Sequence, residues 1–175
     1  MRRIGITGGI GSGKSVVSRL LRIMGYSVYD TDSEAKRLME SSLEVVQKLS
    51  ECFGRDIYHN GRLNRGLLSS RVFGESDKIV LLNSIVHPVV RFDFYRWSES
   101  LNEEICFVES AILYESRFDE LVDEVWTVTA PEELRIGRVR QRSGLTEEEI
   151  KKRMAAQLSE EEKQRRAAHI IWNDG

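Results

Sequence analysis

The sequence predicts a three-layer α/β fold with a five-stranded parallel sheet, and three observations carry that expectation. Short apolar segments alternate with helical ones, the pattern of strand–helix–strand units. One segment, Ile105-Cys106-Phe107-Val108, is apolar throughout, as a strand must be when both faces of its sheet are covered. Gly8-Gly9-Ile10-Gly11-Ser12-Gly13-Lys14-Ser15 fits G-x-x-x-x-G-K-[ST] between a strand and a helix, the pattern of a phosphate-binding loop.

Arg3 to Thr7 reads as the first strand and Val16 to Met24 as the first helix, stopped by Gly25. Between them, backbone N–H groups of residues 8–15 and of Val16 in the first helical turn point at phosphate oxygens. The helix dipole adds positive potential, and glycines let the backbone come close. Lys14 brings a mobile charge to the β- and γ-phosphates, and Ser15 a hydroxyl to Mg²⁺. This is the start of a P-loop NTPase fold that binds ATP or GTP.

Tyr26 to Asp30 is the second strand, running into Asp30-Thr31-Asp32. Residues 33–97 read as mostly helical, broken near Gly54 to Gly61 and around Gly74. One crossover helix needs far fewer residues, so this stretch is read as a helical insertion that covers a substrate. Ile105 to Val108 and Glu124 to Thr129 are the third and fourth strands, and Pro131 opens a helix with Glu132 and Glu133 in its first turn. Thr146 with Glu149, and Ser159 with Glu162, fit capping boxes. Ile170-Ile171-Trp172 is a last short strand. In such sheets ligands sit at the carboxyl ends of the strands, where the glycine loop and Asp30-Thr31-Asp32 both fall.

The chain has 175 residues, 41% hydrophobic and 31% charged, with net charge −2, an ordinary balance for one domain. No global basic field exists for nucleic acid or membrane lipid, and no apolar run approaches a membrane span. Met1-Arg2-Arg3 leads straight into the first strand, leaving no room for a signal peptide. Cys52 and Cys106 lie far apart and read as reduced thiols of a cytoplasmic protein. Trp97, Trp126 and Trp172 read as core or edge packing, and Glu160 to Arg166 as a solvated helix.

Among the residues able to carry chemistry, Asp32 can take a proton from an attacking hydroxyl or hold a water on Mg²⁺, although Asp at such a place also caps helices. Arg135, Arg138 and Arg142 share one helix face, with Arg140 opposite. Facing a phosphate, that row clamps a transferring phosphoryl. Facing water, it is a charged surface. Glu109 follows the third strand, where a magnesium-ordering acid or a surface acid are both reasonable. His87, alone in a helical stretch, reads as structural. Arg65 and Arg71 can meet an anionic substrate or simply line a helix.

These residues resemble the dephospho-coenzyme A kinases over the whole chain. The lead-in Ile4-Gly5-Ile6-Thr7-Gly8-Gly9-Ile10-Gly11 is similar to that family's phosphate loop, and Asp30-Thr31-Asp32 to its Asp-x-Asp element. Gly61-Arg62-Leu63-Asn64-Arg65, with Leu67 and Arg71-Val72-Phe73, resembles its substrate signature. Leu82-Asn83 to His87-Pro88, Ile112-Leu113-Tyr114-Glu115, Arg138 with Arg142, Gln157 and Asn173 complete the likeness.

The resemblance implies transfer of the γ-phosphate of ATP to the ribose 3′-hydroxyl of dephospho-coenzyme A, with ATP, Mg²⁺ and that acceptor as the only partners of a monomer or weak homo-oligomer. It implies Asp32 as general base. Lys14, Arg138 and Arg142 would stabilise the phosphoryl, Ser15 would hold Mg²⁺ and Asn173 would lie near the adenine. Asp32, Arg65, Arg71 and His87 would sit on the acceptor side, the last three within an insertion of about 33–97, and a lid would span about 138–157. Ala111 stands where the family has Pro, preceded by an unusual Glu109-Ser110. His169 stands where an acid is common. The family continues beyond the position of Gly175 into a C-terminal helix. A nucleotide switch for guanine would carry Asn-Lys-x-Asp, which this chain does not contain.

Asp32→Asn is expected to keep ATP binding but lower turnover about a hundredfold or more, the scale of a general base. Near-normal turnover in a steady-state assay would remove Asp32 from that role.

Overall fold

Alternation along the first strand organises the sheet. A computed structural model describes all residues, Met1–Gly175. In β1 (Arg2–Thr7), Ile4 and Ile6 turn to one face while Gly5 and Thr7 turn to the other. The chain continues through α1 (Lys14–Ile23), β2 (Ser27–Asp30), α2 (Thr31–Ser41), α3 (Leu43–Phe53), β3 (Tyr58–His59) and β4 (Arg62–Leu63). Then come α4 (Arg65–Val72), α5 (Ser76–Ser100), β5 (Ile105–Glu109), β6 (Glu124–Thr129), α6 (Glu132–Ser143), α7 (Glu147–Ala155), α8 (Glu160–Arg166) and β7 (His169–Trp172). Two compact units divide it: Met1–Asp30 with Ser98–Gly175, and Thr31–Trp97.

In the first unit, five parallel strands run in the order β2-β5-β1-β6-β7. The parallel five-stranded sheet read from the sequence is therefore present, with the loop-bearing strand at its centre. Ile4, Ile6, Phe107 and Val128 form the core of one face with Leu21 of α1. Phe107 meets Tyr26 and Trp126 edge-on, at centroid separations of 5.5 and 5.6 Å. On the other face a Cβ at Gly5 would lie 2.7 Å from Leu113, so the loop after β5 packs directly on the β1 backbone. Thr127 shares that face and donates its hydroxyl to the Lys163 carbonyl of α8 at 3.2 Å. Helices thus cover both faces of the sheet.

The second unit is helical apart from one short hairpin. Val45, Leu49 and Phe53 of α3, Ile57, Leu63 and Leu68 are buried. The Tyr58 hydroxyl donates to the Met39 carbonyl at 2.6 Å, and Arg37 pairs with Asp93 at 2.7 Å. The antiparallel pair β3–β4 was not expected in a stretch read as helical and broken. Its signal was present: Asn60 (φ 49°) and Gly61 (φ 76°) both hold positive φ, the Asn-Gly hairpin turn.

Two further corrections concern α8. The helix is not solvated all round, because Lys163 is fully buried where the helix packs on β6. Its capping box is half made: Ser159 accepts from the Glu162 N–H, but the Glu162 carboxylate turns to Arg165. At Thr146 the reciprocal box is complete.

Ile6→Ala should destabilise the fold by about 3 kcal/mol in denaturant titration, the usual cost of emptying a core site. Ile23→Ala, on the outward side of α1 at 75% exposure, should cost less than about 0.5 kcal/mol. A cost at Ile23 equal to about 3 kcal/mol would mean that this side of α1 does not face outward.

Candidate active site

The phosphate loop occupies residues 8–13, between the end of β1 and α1. Gly8 (φ 144°) and Gly13 (φ 99°) hold conformations that side chains rarely adopt. A Cβ at Gly8 would strike the Val128 carbonyl, and one at Gly13 the Asn173 amide. Gly13 is also the N-cap of α1, so no side chain caps that helix, and its first turn carries no acid. The positive end of the dipole is left for an anion. Lys14 folds back, its Nζ donating to the Gly8 carbonyl at 2.8 Å and the Gly9 carbonyl at 3.3 Å. Thr7 Oγ1 and Ser12 Oγ are buried without a hydrogen-bond partner. Buried hydroxyls are normally paired, and these two flank the cradle. The exposed Ser15 follows Lys14 in the first turn of α1.

The loop is braced from outside by three side chains. Asn173, just past β7, donates from Nδ2 to the Ser12 carbonyl at 2.9 Å. Gln157, just past α7, accepts the Ile10 N–H at 3.0 Å. Arg135 of α6 is buried and pairs with Glu160 at 3.1 Å. A Cβ at Gly9 would run into both of those side chains. Arg135, Gln157, Glu160, Pro131 and Trp172 line a cleft of about 470 Å³ beside the loop.

The arginine row divides by burial. Arg135 is spent on Glu160. Arg138 is half-buried, with Nη1 out of water and without a partner. Arg142 is exposed. Glu109 ends β5, in register with Ile6 of β1 and Asp30 of β2. Asp32 lies two residues past β2, in the first turn of α2. In the second unit, Arg65 pairs with Glu40 at 3.0 Å, and Arg71 forks onto Asp56 and the Phe53 carbonyl. His87 is half-buried within α5, and burial, with Arg91 nearby, lowers its pKa. No cluster of three or more His, Cys, Asp or Glu side chains is arranged to hold a metal.

A sequence model of the family described as Dephospho-CoA kinase matches residues 2–175. The chain belongs to the dephospho-CoA kinase family. It is 44% identical over 174 residues to the dephospho-CoA kinase of Porphyromonas gingivalis, covering 99% of this chain and 86% of that one. A Thermus thermophilus protein of known structure superposes with a TM-score of 0.85 at 38% identity, covering 99% of this chain and 89% of that one. The dephospho-CoA kinase of Campylobacter jejuni superposes with a TM-score of 0.74 at 25% identity, covering 100% and 90%. The family resemblance seen in the motifs therefore holds over the whole chain, on a P-loop fold.

Reading the sequence did not anticipate the bracing roles of Gln157 and Glu160 or the burial of Lys163. All three lie in or beside polar runs, where spacing alone does not say which side chain faces inward. Trp172 was read as core or edge packing, yet it is 61% exposed and lines the cleft.

Gly13→Ala joins a positive φ to a collision with Asn173 and should weaken ATP binding about tenfold to a hundredfold, the scale of local strain of 1–3 kcal/mol. Gly144→Ala, at the C-terminus of α6 with φ 67° and open space around it, should lower stability without moving ATP affinity. Titration calorimetry and thermal melts separate the two, and unchanged affinity in Gly13→Ala would mean the loop is not tightly fitted.

Proposed function

We propose that this protein phosphorylates the ribose 3′-hydroxyl of dephospho-coenzyme A at the expense of ATP, giving coenzyme A and ADP in the last step of coenzyme A biosynthesis. The observation that carries this reading is the whole-chain family match on a phosphate loop whose helix N-terminus is left uncapped.

The chemistry asks little covalent work of the protein and much positioning. ATP would lie with its phosphates on residues 8–16, its β- and γ-phosphates beside Lys14. Lys14 reaches them by giving up its carbonyl partners for a full negative charge. Asp32 is proposed to accept the proton of the 3′-hydroxyl as its oxygen bonds to the γ-phosphorus and the bond to ADP breaks. Arg138, with one nitrogen already desolvated and unpaired, is suited to the charge that spreads over the moving phosphoryl, and Arg142 would join it.

Ser15 would hold Mg²⁺ through its hydroxyl, the usual small protein share in such sites. When bound, the ion neutralises charge between the β- and γ-phosphates. Asn173 would lie near the adenine. Residues 138–157 would act as the lid that keeps water, a competing acceptor, away. Arg65, Arg71 and His87 are proposed to meet the acceptor from the insertion of about 33–97. A cytoplasmic monomer or weak homo-oligomer suits these roles. No helix is long and apolar enough to cross a membrane.

The test is ADP release from ATP and Mg²⁺ with and without dephospho-coenzyme A, with mass analysis of the product. Acceptor-dependent turnover and a product heavier by one phosphate are expected. Lys14→Ala should abolish turnover at saturating acceptor, because the moving phosphoryl loses its partner. ATP binding without stimulation by this acceptor would move the reading to another acceptor.

A further inference from the structure

The most unusual charge in the protein is one the proposed reaction does not use. Lys163 of α8 is fully buried, and burial depresses its pKa against the pull of Glu115 and Glu160. A lone buried ammonium is costly, yet this one has two partners on the loop after β5. Its Nζ donates to the Ala111 carbonyl at 3.1 Å and lies 3.9 Å from Glu115 Oε1. The same carboxylate oxygen accepts the Leu158 N–H at 2.7 Å. Leu158 follows Gln157, whose side-chain oxygen accepts the Ile10 N–H of the phosphate loop. One continuous path therefore runs from α8 through Glu115 to the segment past α7, and from there to the loop. Every contact in it lies within the first unit.

We infer that Lys163 and Glu115 are positioning residues that anchor Gln157 against the phosphate loop, so that the loop is held in its nucleotide-binding shape. The inference rests on the proposed use of this loop for ATP. Three features favour positioning over simple packing. Glu115 bonds a backbone N–H directly beside Gln157, so its placement fixes where that side chain starts. Gln157 satisfies an N–H of the loop itself, which sets the turn between Gly9 and Gly11. The path also begins on a helix whose other inward side chain, Glu160, braces the same loop through Arg135. Two carboxylates, Glu115 and Glu160, thus connect α8 to the two sides of one loop.

The test is a double-mutant cycle read by titration calorimetry with ATP and Mg²⁺, which needs no acceptor and so stands or falls apart from the identity of the reaction. Gln157→Ala and Lys163→Met should each weaken ATP binding about tenfold, the size of one well-placed hydrogen bond. The double variant should be no weaker than either single one, because both remove the same support. Glu115→Ala, at a partly exposed site, should reproduce Lys163→Met and replaces it if that variant does not fold. In steady-state assays the KM for ATP should rise while the KM for the acceptor stays.

Independent effects that multiply to about a hundredfold in the double variant would overturn the inference. So would a lowered melting temperature with unchanged ATP affinity. Tighter ATP binding by Gln157→Ala would also overturn it, since Gln157 would then be competing with phosphate for the Ile10 N–H.

Discussion

A helix that begins without a cap at the end of the central strand is the constraint on which the rest of this protein depends. A helix start leaves its first N–H groups without partners inside the helix, and four of the eight helices here use a side chain to satisfy one. Ser42, Asn64, Thr146 and Ser159 all accept from the following turn. α1 instead begins after Gly13 with no side-chain cap. Keeping the dipole available means that the preceding loop must be shaped by something other than its own side chains. It is therefore gripped from outside, by Asn173 at Ser12, Gln157 at Ile10 and the Arg135–Glu160 pair at Gly9. The glycines follow from that grip as much as from the ligand, since at Gly8, Gly9 and Gly13 a Cβ would meet protein atoms.

The sheet order makes this arrangement possible. With β1 at the centre, the ends of β5 and β6 flank the loop on either side, and β7 lies beyond β6. Glu109 comes from one side, and the start of α6, with Arg135 and Arg138, follows from the other. Right-handed crossovers place successive helices on opposite faces according to the direction in which the chain moves across the sheet. α1 and α8 accordingly lie on different faces, and the segments just past α7 and β7 return to the loop, where they carry Gln157 and Asn173.

What was legible in the sequence and what was not divide along a physical line. The loop, its flanking helix, the Thr146 box and the five strands of the sheet were readable because each rests on local chemistry: glycine freedom, side-chain capping, or a short apolar run between turns. The β3–β4 hairpin rests on a local signal as well, the Asn60-Gly61 turn, which was masked by helical periodicity on both sides. Arg135 and Lys163 were not readable. Each sits in a run of charges, and only the position of a whole helix on the sheet decides which charge goes inward. Gln157 was marked only by the family likeness, and its contact with the loop was not readable for the same reason, since a glutamine at the end of a polar helix has no pattern of its own.

The two buried cations argue that this edge of the molecule is built for position more than for stability. Taking an ammonium or guanidinium out of water costs several kcal/mol, and a carboxylate partner returns about that much only when the geometry is good. Apolar side chains of similar volume fill such sites at no loss of stability in many proteins. Lys163 is held at 3.9 Å from its carboxylate, a modest return, and Arg135 leaves Nε without a partner. Neither pair is an efficient way to join α8 to the sheet, which Thr127 and the buried face of β6 already do. A charged pair, however, fixes distance and direction where an apolar contact allows sliding. Directional contacts are what a loop of glycines needs, because its own backbone imposes so little. The expense of burying Lys163 and Arg135 is intelligible if what it secures is the shape of residues 8–13.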